Sequence, residues 1–317
     1  MANQTSLFAP TPPTVAVELA SRRLTVLEVG RAAKGVSVVG YASELLPDDA
    51  IVPGLTGVNI ANVPAVADTL RRALERAGIR AATRAALIVP DSVARVSLLP
   101  FQQMPAKQAD VEQLVRWQLK KATPFPIDDG VVSWVPAHKT DTGPVLAASV
   151  ARRDVIAQYE AVTTAVGMHA GIVDIASFNV MNAVIGGAAA PASDWLLVAM
   201  APEGTTLAIG RGADLMFYRH RATVEDETMS ALVHQTAMYH EDRLGGSRFS
   251  RVWLCGGGTG QSAEQARRDI SARLNVPVEV VDVRTAVELG AKMATSTDVL
   301  DALAAPVGVL LRDRKAA

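Results

Sequence analysis

Two stretches in the two halves of this chain have the same order of strands and turns. Residues 15–39 (VAVELASRRLTVLEVGRAAKGVSVV) read as three strands joined by two turns, and residues 196–218 (LLVAMAPEGTTLAIGRGADLMFY) repeat that order. Glu18 aligns with Ala199, and the same offset of 181 positions holds along both stretches. A β-meander that opens each half of an α/β chain predicts a duplicated fold with two lobes, whose first hairpin turns face each other across a cleft. The alternative is that two unrelated meanders resemble each other.

Composition and charge restrict the classes of function. The chain has 317 residues, 49% of them hydrophobic, which is enough for one or two domains with substantial cores. Its 31 basic and 32 acidic side chains give a net charge of -1, so we expect no binding to nucleic acid. No apolar run reaches the roughly 18 residues of a membrane-spanning helix, and the N-terminal segment lacks signal-peptide features, so no membrane insertion is expected. The single cysteine, Cys255, indicates a reducing, cytoplasmic setting.

Periodicity predicts alternating helices and strands after the first meander. Apolar residues at helical spacing predict helices over 63–77, 107–122, 154–166, 226–244, 263–274 and 299–311, and one that begins at Ser177. β-Rich runs predict strands over 85–89, 93–99, 131–136, 145–151, 171–175, 251–255 and 277–283. Residues 1–13 are expected to form a disordered tail, and residues 186–191 a hinge between the lobes. A glycine cluster at 256–260 lies between a strand and a helix, where backbone N–H groups are presented to an anion.

Several motifs resemble the sequence pattern of one family. The most specific is LLPFQQMP (98–105) followed by VEQLVRWQLKKATPFPID (111–128). The others are PVLAASVARRDVIAQY (144–159) with GIVDIASFN (171–179), VWLCGGGTG (252–260) with VPVEVVD (276–282), and APVGVLLR (305–312). By the order and spacing of these motifs, the chain from about Val15 onward resembles the type IV pilus assembly protein PilM family, whose members are actin-like and related to the cell-division protein FtsA.

The resemblance implies an α/β, duplicated actin-like (ribonuclease H-like) fold. Its first lobe would comprise residues 14–192, with a small subdomain inserted at about 86–151, and its second lobe residues 193–317. The C-terminal helix would return to the first lobe. The outer subdomain that family members carry in the second lobe is expected to be reduced to a turn, since Arg221 leads almost directly into the next predicted helix.

The resemblance also implies a partner. Members of the family bind the N-terminal cytoplasmic peptide of PilN, an inner-membrane protein, in a groove near the inserted subdomain. This would recruit the chain to the inner face of the inner membrane, beside other pilus assembly proteins. Such a groove needs apolar pockets and backbone hydrogen bonds rather than a catalytic group. The residues expected to contact the peptide are Leu98, Leu99, Phe101, Met104, Val111, Leu114 and Val115. For each of them, packing in the core is the alternative.

The nucleotide site of the family is only partly present. Family members carry Asp-Ile-Gly before the first turn, where the acid helps to hold a hydrated metal ion, and Glu18, Leu19 and Ala20 stand there. The second turn has Ala199 at the equivalent acidic position, so that turn has no carboxylate to position a metal ion or the attacking water.

The residues left as a vestigial cofactor site are Glu18, Ser21, Gly256, Gly257, Gly258 and Thr259. We therefore expect neither a cofactor nor ATPase activity. The alternative is an ATP-binding actin-like protein that cycles or polymerises with ATP and magnesium.

No other catalytic chemistry is indicated. Among the 5 histidines only His234 and His240 share a predicted helix, and their spacing places them on different faces, so no metal pair is expected. Cys255 ends an apolar run and is expected to be buried. The sequence thus predicts a non-catalytic adaptor of a type IV pilus or related secretion machine. A third alternative, the cytoplasmic part of a type II secretion L protein, would be expected to continue into a membrane span.

Overall fold

The computed structural model describes residues 12–32, 35–187, 192–224, 227–256, 261–290, 293 and 296–312. Its strands are β1 (Val15–Leu19), β2 (Arg23–Ala32), β3 (Gly35–Leu45), β4 (Arg84–Val89), β5 (Ala94–Pro100), β6 (Gly130–Thr140), β7 (Gly143–Arg152), β8 (His169–Ile175), β9 (Asp194–Ala201), β10 (Gly204–Arg211), β11 (Asp214–Ala222), β12 (Arg251–Cys255), β13 (Val278–Val280) and β14 (Glu288–Leu289). Its α-helices are α1 (Val63–Ala77), α2 (Gln108–Leu119), α3 (Arg153–Thr164), α4 (Ala176–Gly186), α5 (Met229–Leu244), α6 (Gln261–Leu274) and α7 (Thr297–Leu311). None of these helices is both long and apolar enough to cross a membrane.

Local sequence signals explain where several elements begin and end. Helix α1 has its predicted bounds because the Asn62 side chain caps its first turn and Gly78 ends it in the left-handed conformation. The strand predicted over 131–136 is longer than expected: β6 pairs with β7 as far as Thr140, so it includes His138. The strand predicted over 277–283 is shorter, because only the three residues of β13 pair with β12.

Two of the three sheets that the described residues form have the same strand order, which confirms the duplication. The first sheet is ordered β14-β3-β2-β1-β4-β8 and the second β11-β10-β9-β12-β13, so the orders agree once β14 is left out. The register agrees as well: Glu18 pairs with Thr25 in the first hairpin, and Ala199 pairs with Thr206 in the second. The equivalence of Glu18 and Ala199 is therefore a property of the fold.

Helices cover both faces of each of these sheets. Helices α1 and α3 pack on the outer face of the first sheet, and α5 and α6 on the outer face of the second. Helices α4 and α7 lie between the two inner faces and share one core with both sheets. Although α7 follows the second lobe in sequence, it contacts β1, β2 and β4 of the first. Gly308 permits the close approach of α7 to α4, because a Cβ there would lie 1.7 Å from the backbone oxygen of Asn179.

The third sheet, β5-β7-β6, is inserted between β4 and α3. Helix α2 packs on one of its faces. Its other face turns toward the first lobe, and it also contacts the edge strand β11 of the second lobe, where His138 Nδ1 lies 2.7 Å from the backbone oxygen of Leu215. The insertion therefore contacts both lobes.

Candidate functional site

The cleft between the lobes is lined by the two hairpin turns of the repeat. It encloses about 500 Å³. In the first turn the Ala20 N–H donates to the backbone oxygen of Arg23. In the second turn Pro202 has no backbone N–H. Neither residue therefore has a backbone N–H free to bind a ligand in the cleft. Ser21 Oγ, in the first turn, donates to Glu203 Oε2, in the second, at 2.6 Å. The two turns are thus bonded directly to each other across the cleft.

Glu18 lies beside the first turn and is only 8% exposed. Its nearest basic group is Arg23, whose Nη2 lies 3.9 Å from Glu18 Oε2. Burial raises the pKa of Glu18 above its ordinary value and outweighs the attraction to Arg23, and the charges of Asp301 and Asp91 raise it further. At the equivalent place in the second hairpin, Ala199 has no charge at all.

Replacing Glu18 by Gln is expected to stabilise the fold at neutral pH. Because the folded-state pKa of Glu18 is raised above its ordinary value of 4.5, the folded chain retains a proton that the unfolded chain has lost. The free energy of unfolding therefore falls as pH rises from 4.5 through the folded-state pKa. The Gln side chain of Glu18→Gln carries no charge that burial would penalise. The difference in free energy of unfolding between Glu18→Gln and the unchanged chain should therefore be small below pH 4.5 and grow above it.

Denaturant unfolding across this pH range measures the difference, and Glu75→Gln on the exposed surface of α1 is the matched control. Identical pH profiles for Glu18→Gln and the unchanged chain would argue against a destabilising charge at Glu18.

A set of polar side chains joins the lobes beside the cleft, and we call it the interlobe polar cluster: Asp91 and Ser177 from the first lobe, and Thr206, Tyr218 and His220 from the second. Asp91 Oδ1 accepts from the N–H and the Oγ of Ser177, both at 2.9 Å, and Asp91 Oδ2 accepts from Thr206 Oγ1 at 2.6 Å. Each hydroxyl has one proton, so Ser177 Oγ accepts from the Tyr218 hydroxyl at 2.9 Å. By the same reasoning Thr206 Oγ1 accepts from His220 Nδ1 at 2.9 Å. The Asp91 carboxylate thus ties the start of α4 to β10.

Gly256 opens the glycine cluster, and its backbone N–H already has a partner. It donates to Asp301 Oδ1 of α7 at 2.7 Å. Only glycine fits here, because φ is 81° and a Cβ would lie 1.9 Å from the Met200 oxygen. Gly257, Gly258 and Thr259 lie outside the described residues. The first donor of this cluster is therefore satisfied within the protein.

Neither a metal centre nor a reactive thiol is evident in the part of the chain that the structure describes. No three His, Cys, Asp or Glu side chains there are placed to hold a metal ion. Cys255 is buried, and burial raises the pKa of its thiol well above the ordinary value. The thiol therefore stays protonated at neutral pH and is a poor nucleophile.

A second cavity, which we call the groove, lies between the third sheet and the first lobe and encloses about 610 Å³. One wall is the face of β6 and β7 opposite α2, where Val131 and Val135 are 42% and 52% exposed. The other wall is β8, and Phe178 of α4 lies between the two walls. Strand β8 is the last in its sheet, so the side away from β4 has no strand partner among the described residues.

The groove is mainly apolar and contains one ion pair. Arg312, at the end of α7, donates from Nη1 to Asp174 Oδ2 at 2.8 Å, and the Ile175 N–H donates to Asp174 Oδ1 at 2.9 Å. Burial raises the pKa of Asp174, and Arg312 opposes that shift. These are the charged residues that line the groove in the described part of the chain.

The residues predicted to contact a partner lie outside the groove lining. Leu99, Phe101, Val111 and Val115 are buried between α2 and the third sheet, Met104 and Leu114 pack against that core, and Leu98 packs on the opposite face beside Phe178 and Leu215. For the four buried residues, the structure shows packing in the core, which was the alternative to contact with the peptide. Their apolar side chains fill the core of the insertion. The sequence did not identify Val131, Val135 and Phe178 as residues that line the groove. The reason is that periodicity does not tell which face of a small sheet stays uncovered.

Comparisons with known proteins give one family and one architecture. The sequence profile of a family described as type IV pilus assembly protein PilM matches residues 16–243. No curated protein sequence matches significantly. A solved structure described as the PilM-PilN type IV pilus biogenesis complex has 18% identity and a TM-score of 0.78, over 96% of this chain and 99% of that chain. A protein of unknown function from Bacteroides thetaiotaomicron, described as having an actin-like ATPase fold, has 7% identity and a TM-score of 0.51, over 87% of this chain and 92% of that chain. At these identities the two structures show a shared fold, the two-lobe actin-like one.

Proposed function

Because the chain belongs to the type IV pilus assembly protein PilM family, we propose that it acts in pilus assembly as a non-catalytic adaptor. Its groove binds the N-terminal cytoplasmic peptide of a PilN-like inner-membrane protein and so brings the chain to the inner face of that membrane. The similarity to a solved PilM-PilN complex supports a partner of this kind.

The groove is suited to an extended apolar peptide. Among the described residues β8 has no strand partner on the side away from β4, so a peptide can pair with residues 171–174 at this edge as an added strand. Its side chains then meet Val131 and Val135 on one side and Phe178 on the other. Backbone pairing supplies affinity and the apolar wall supplies selectivity, without any group that performs chemistry.

The contacts in the cleft support an adaptor rather than an ATPase. The Ser21–Glu203 bond lies where triphosphate would have to pass between the turns, and it adds a carboxylate that repels phosphate. The Gly256 N–H is taken by Asp301. Ala199 provides no second carboxylate to position metal or water. The residues present thus do not fit a magnesium-bound triphosphate.

A thermal-shift titration with two ligands tests the proposal. A synthetic peptide with the N-terminal cytoplasmic sequence of the PilN-like protein encoded beside this gene should raise the melting temperature. At 100 times its dissociation constant it should add about 2.7 kcal/mol to the free energy of unfolding. ATP with magnesium should cause no shift. A shift with ATP and none with the peptide would favour a nucleotide-driven actin-like protein instead.

A further inference from the structure

We propose that the interlobe polar cluster supports the groove: Thr206 and Tyr218 are positioning residues that hold the first turn of α4, and with it Phe178, in place for the partner. This inference rests on the proposed function of the groove. It assigns to the cleft a structural role in partner binding.

Tyr218 of the second lobe contacts two successive residues in the first turn of α4. Its hydroxyl donates to Ser177 Oγ at 2.9 Å. Its ring meets the Phe178 ring edge to face, with centroids 5.4 Å apart and planes at 68°. Ser177 lines the cleft and Phe178 lines the groove, so this turn of helix separates the two cavities.

Thr206 fixes the other end of the same chain of contacts. Its hydroxyl is the second-lobe donor to Asp91 Oδ2, while both bonds to Asp91 Oδ1 come from Ser177. Without the Thr206 hydroxyl, the Asp91 carboxylate is held from its own lobe alone, and His220 Nδ1 loses its acceptor. A connected polar network of this kind is sensitive to the loss of one member.

Neither Thr206 nor Tyr218 lines the groove. Any effect of their substitution on peptide affinity is therefore indirect, and the contacts of Tyr218 with Ser177 and Phe178 give it a route through α4. We expect a moderate loss of peptide affinity, since residues that act through a neighbour change affinity by about thirtyfold at most.

Calorimetric titration of the full chain with the PilN-like peptide tests this inference. Thr206→Val and Tyr218→Phe should each weaken binding about three- to tenfold, and Thr206→Ser, which keeps the hydroxyl, should bind like the unchanged chain. The control is Thr236→Val, which removes a buried hydroxyl that donates to the Leu232 oxygen within α5. It should lower stability without changing affinity.

Amide hydrogen exchange provides a readout that needs no partner. Thr206→Val should speed exchange in the first turn of α4, and Thr236→Val should not. If the peptide binds the unchanged chain and all variants equally, the inference is overturned. If no peptide binds at all, the proposed function fails, and the exchange rates alone decide whether the cluster holds α4. Unchanged exchange in Thr206→Val would then overturn the inference.

Discussion

Val135→Asp is expected to abolish detectable binding of the PilN-like peptide, with a loss of affinity of about 100-fold or more, because it places an unpaired charge in an apolar contact. Val135 is 52% exposed on the groove side of β6, so the change leaves the core intact. Calorimetric titration measures the affinity, and the unfolding midpoint should stay within a few degrees of the unchanged chain.

The matched control for this variant is Val39→Asp. Val39 is also an exposed strand valine, at 61%, but it lies in β3 and does not line the groove. It should bind the peptide normally. If Val135→Asp binds as tightly as Val39→Asp, the peptide does not use the β6 wall.

Gly308→Ala is expected to lower the free energy of unfolding by about 3 kcal/mol, because the added methyl group overpacks a helix contact made of backbone atoms. A Cβ at Gly308 would lie 1.7 Å from the Asn179 oxygen and 3.1 Å from the Ala183 nitrogen. Backbone atoms cannot rotate away as a flexible side chain can, so α7 has to move from α4. Since both helices pack in the core that the two lobes share, the movement of α7 lowers the stability of the whole fold.

Gly54→Ala is the matched control for this effect. At Gly54 the nearest atom to an added Cβ is the Thr56 oxygen, at an ordinary 3.7 Å. Chemical denaturation should therefore show a change of less than about 0.5 kcal/mol for Gly54→Ala. A similarly small change for Gly308→Ala would show that the two helices are not packed at this distance.

The repeated hairpins could be predicted from sequence because their determinants are local. Strand alternation and turn residues fix the pairing of Glu18 with Thr25, and an identical spacing fixes Ala199 against Thr206. The helix bounds around α1 likewise follow from a capping side chain and a terminal glycine. Signals of this kind lie within a few residues of the element that they define.

The bonds that close the cleft could not be predicted, because they join residues far apart in sequence. Ser21 and Glu203 are 182 positions apart, and Asp91 and Thr206 are 115 apart. Each side chain taken alone is an ordinary polar residue near a turn. Only the packing of one lobe against the other brings these atoms into contact.

The residues that line the groove could not be predicted for a related reason, although the family resemblance implies a groove near the inserted subdomain. The family motif at 98–105 draws attention to apolar residues such as Leu99 and Phe101, yet those side chains build the core under α2. The uncovered face of β6 forms one wall of the groove only because β8 and α4 lie opposite it. That juxtaposition depends on where the insertion sits between the lobes.

In the proposed function, this actin-like chain recognises a peptide in the groove and leaves nucleotide out of the cleft. A crystal structure grown in the presence of both the PilN-like peptide and ATP with magnesium would show both sites at once. We predict an extended peptide beside β8 at residues 171–174, and an intact Ser21–Glu203 bond between the turns. An ordered triphosphate with magnesium between those turns, or a peptide bound away from the groove, would contradict the proposed function.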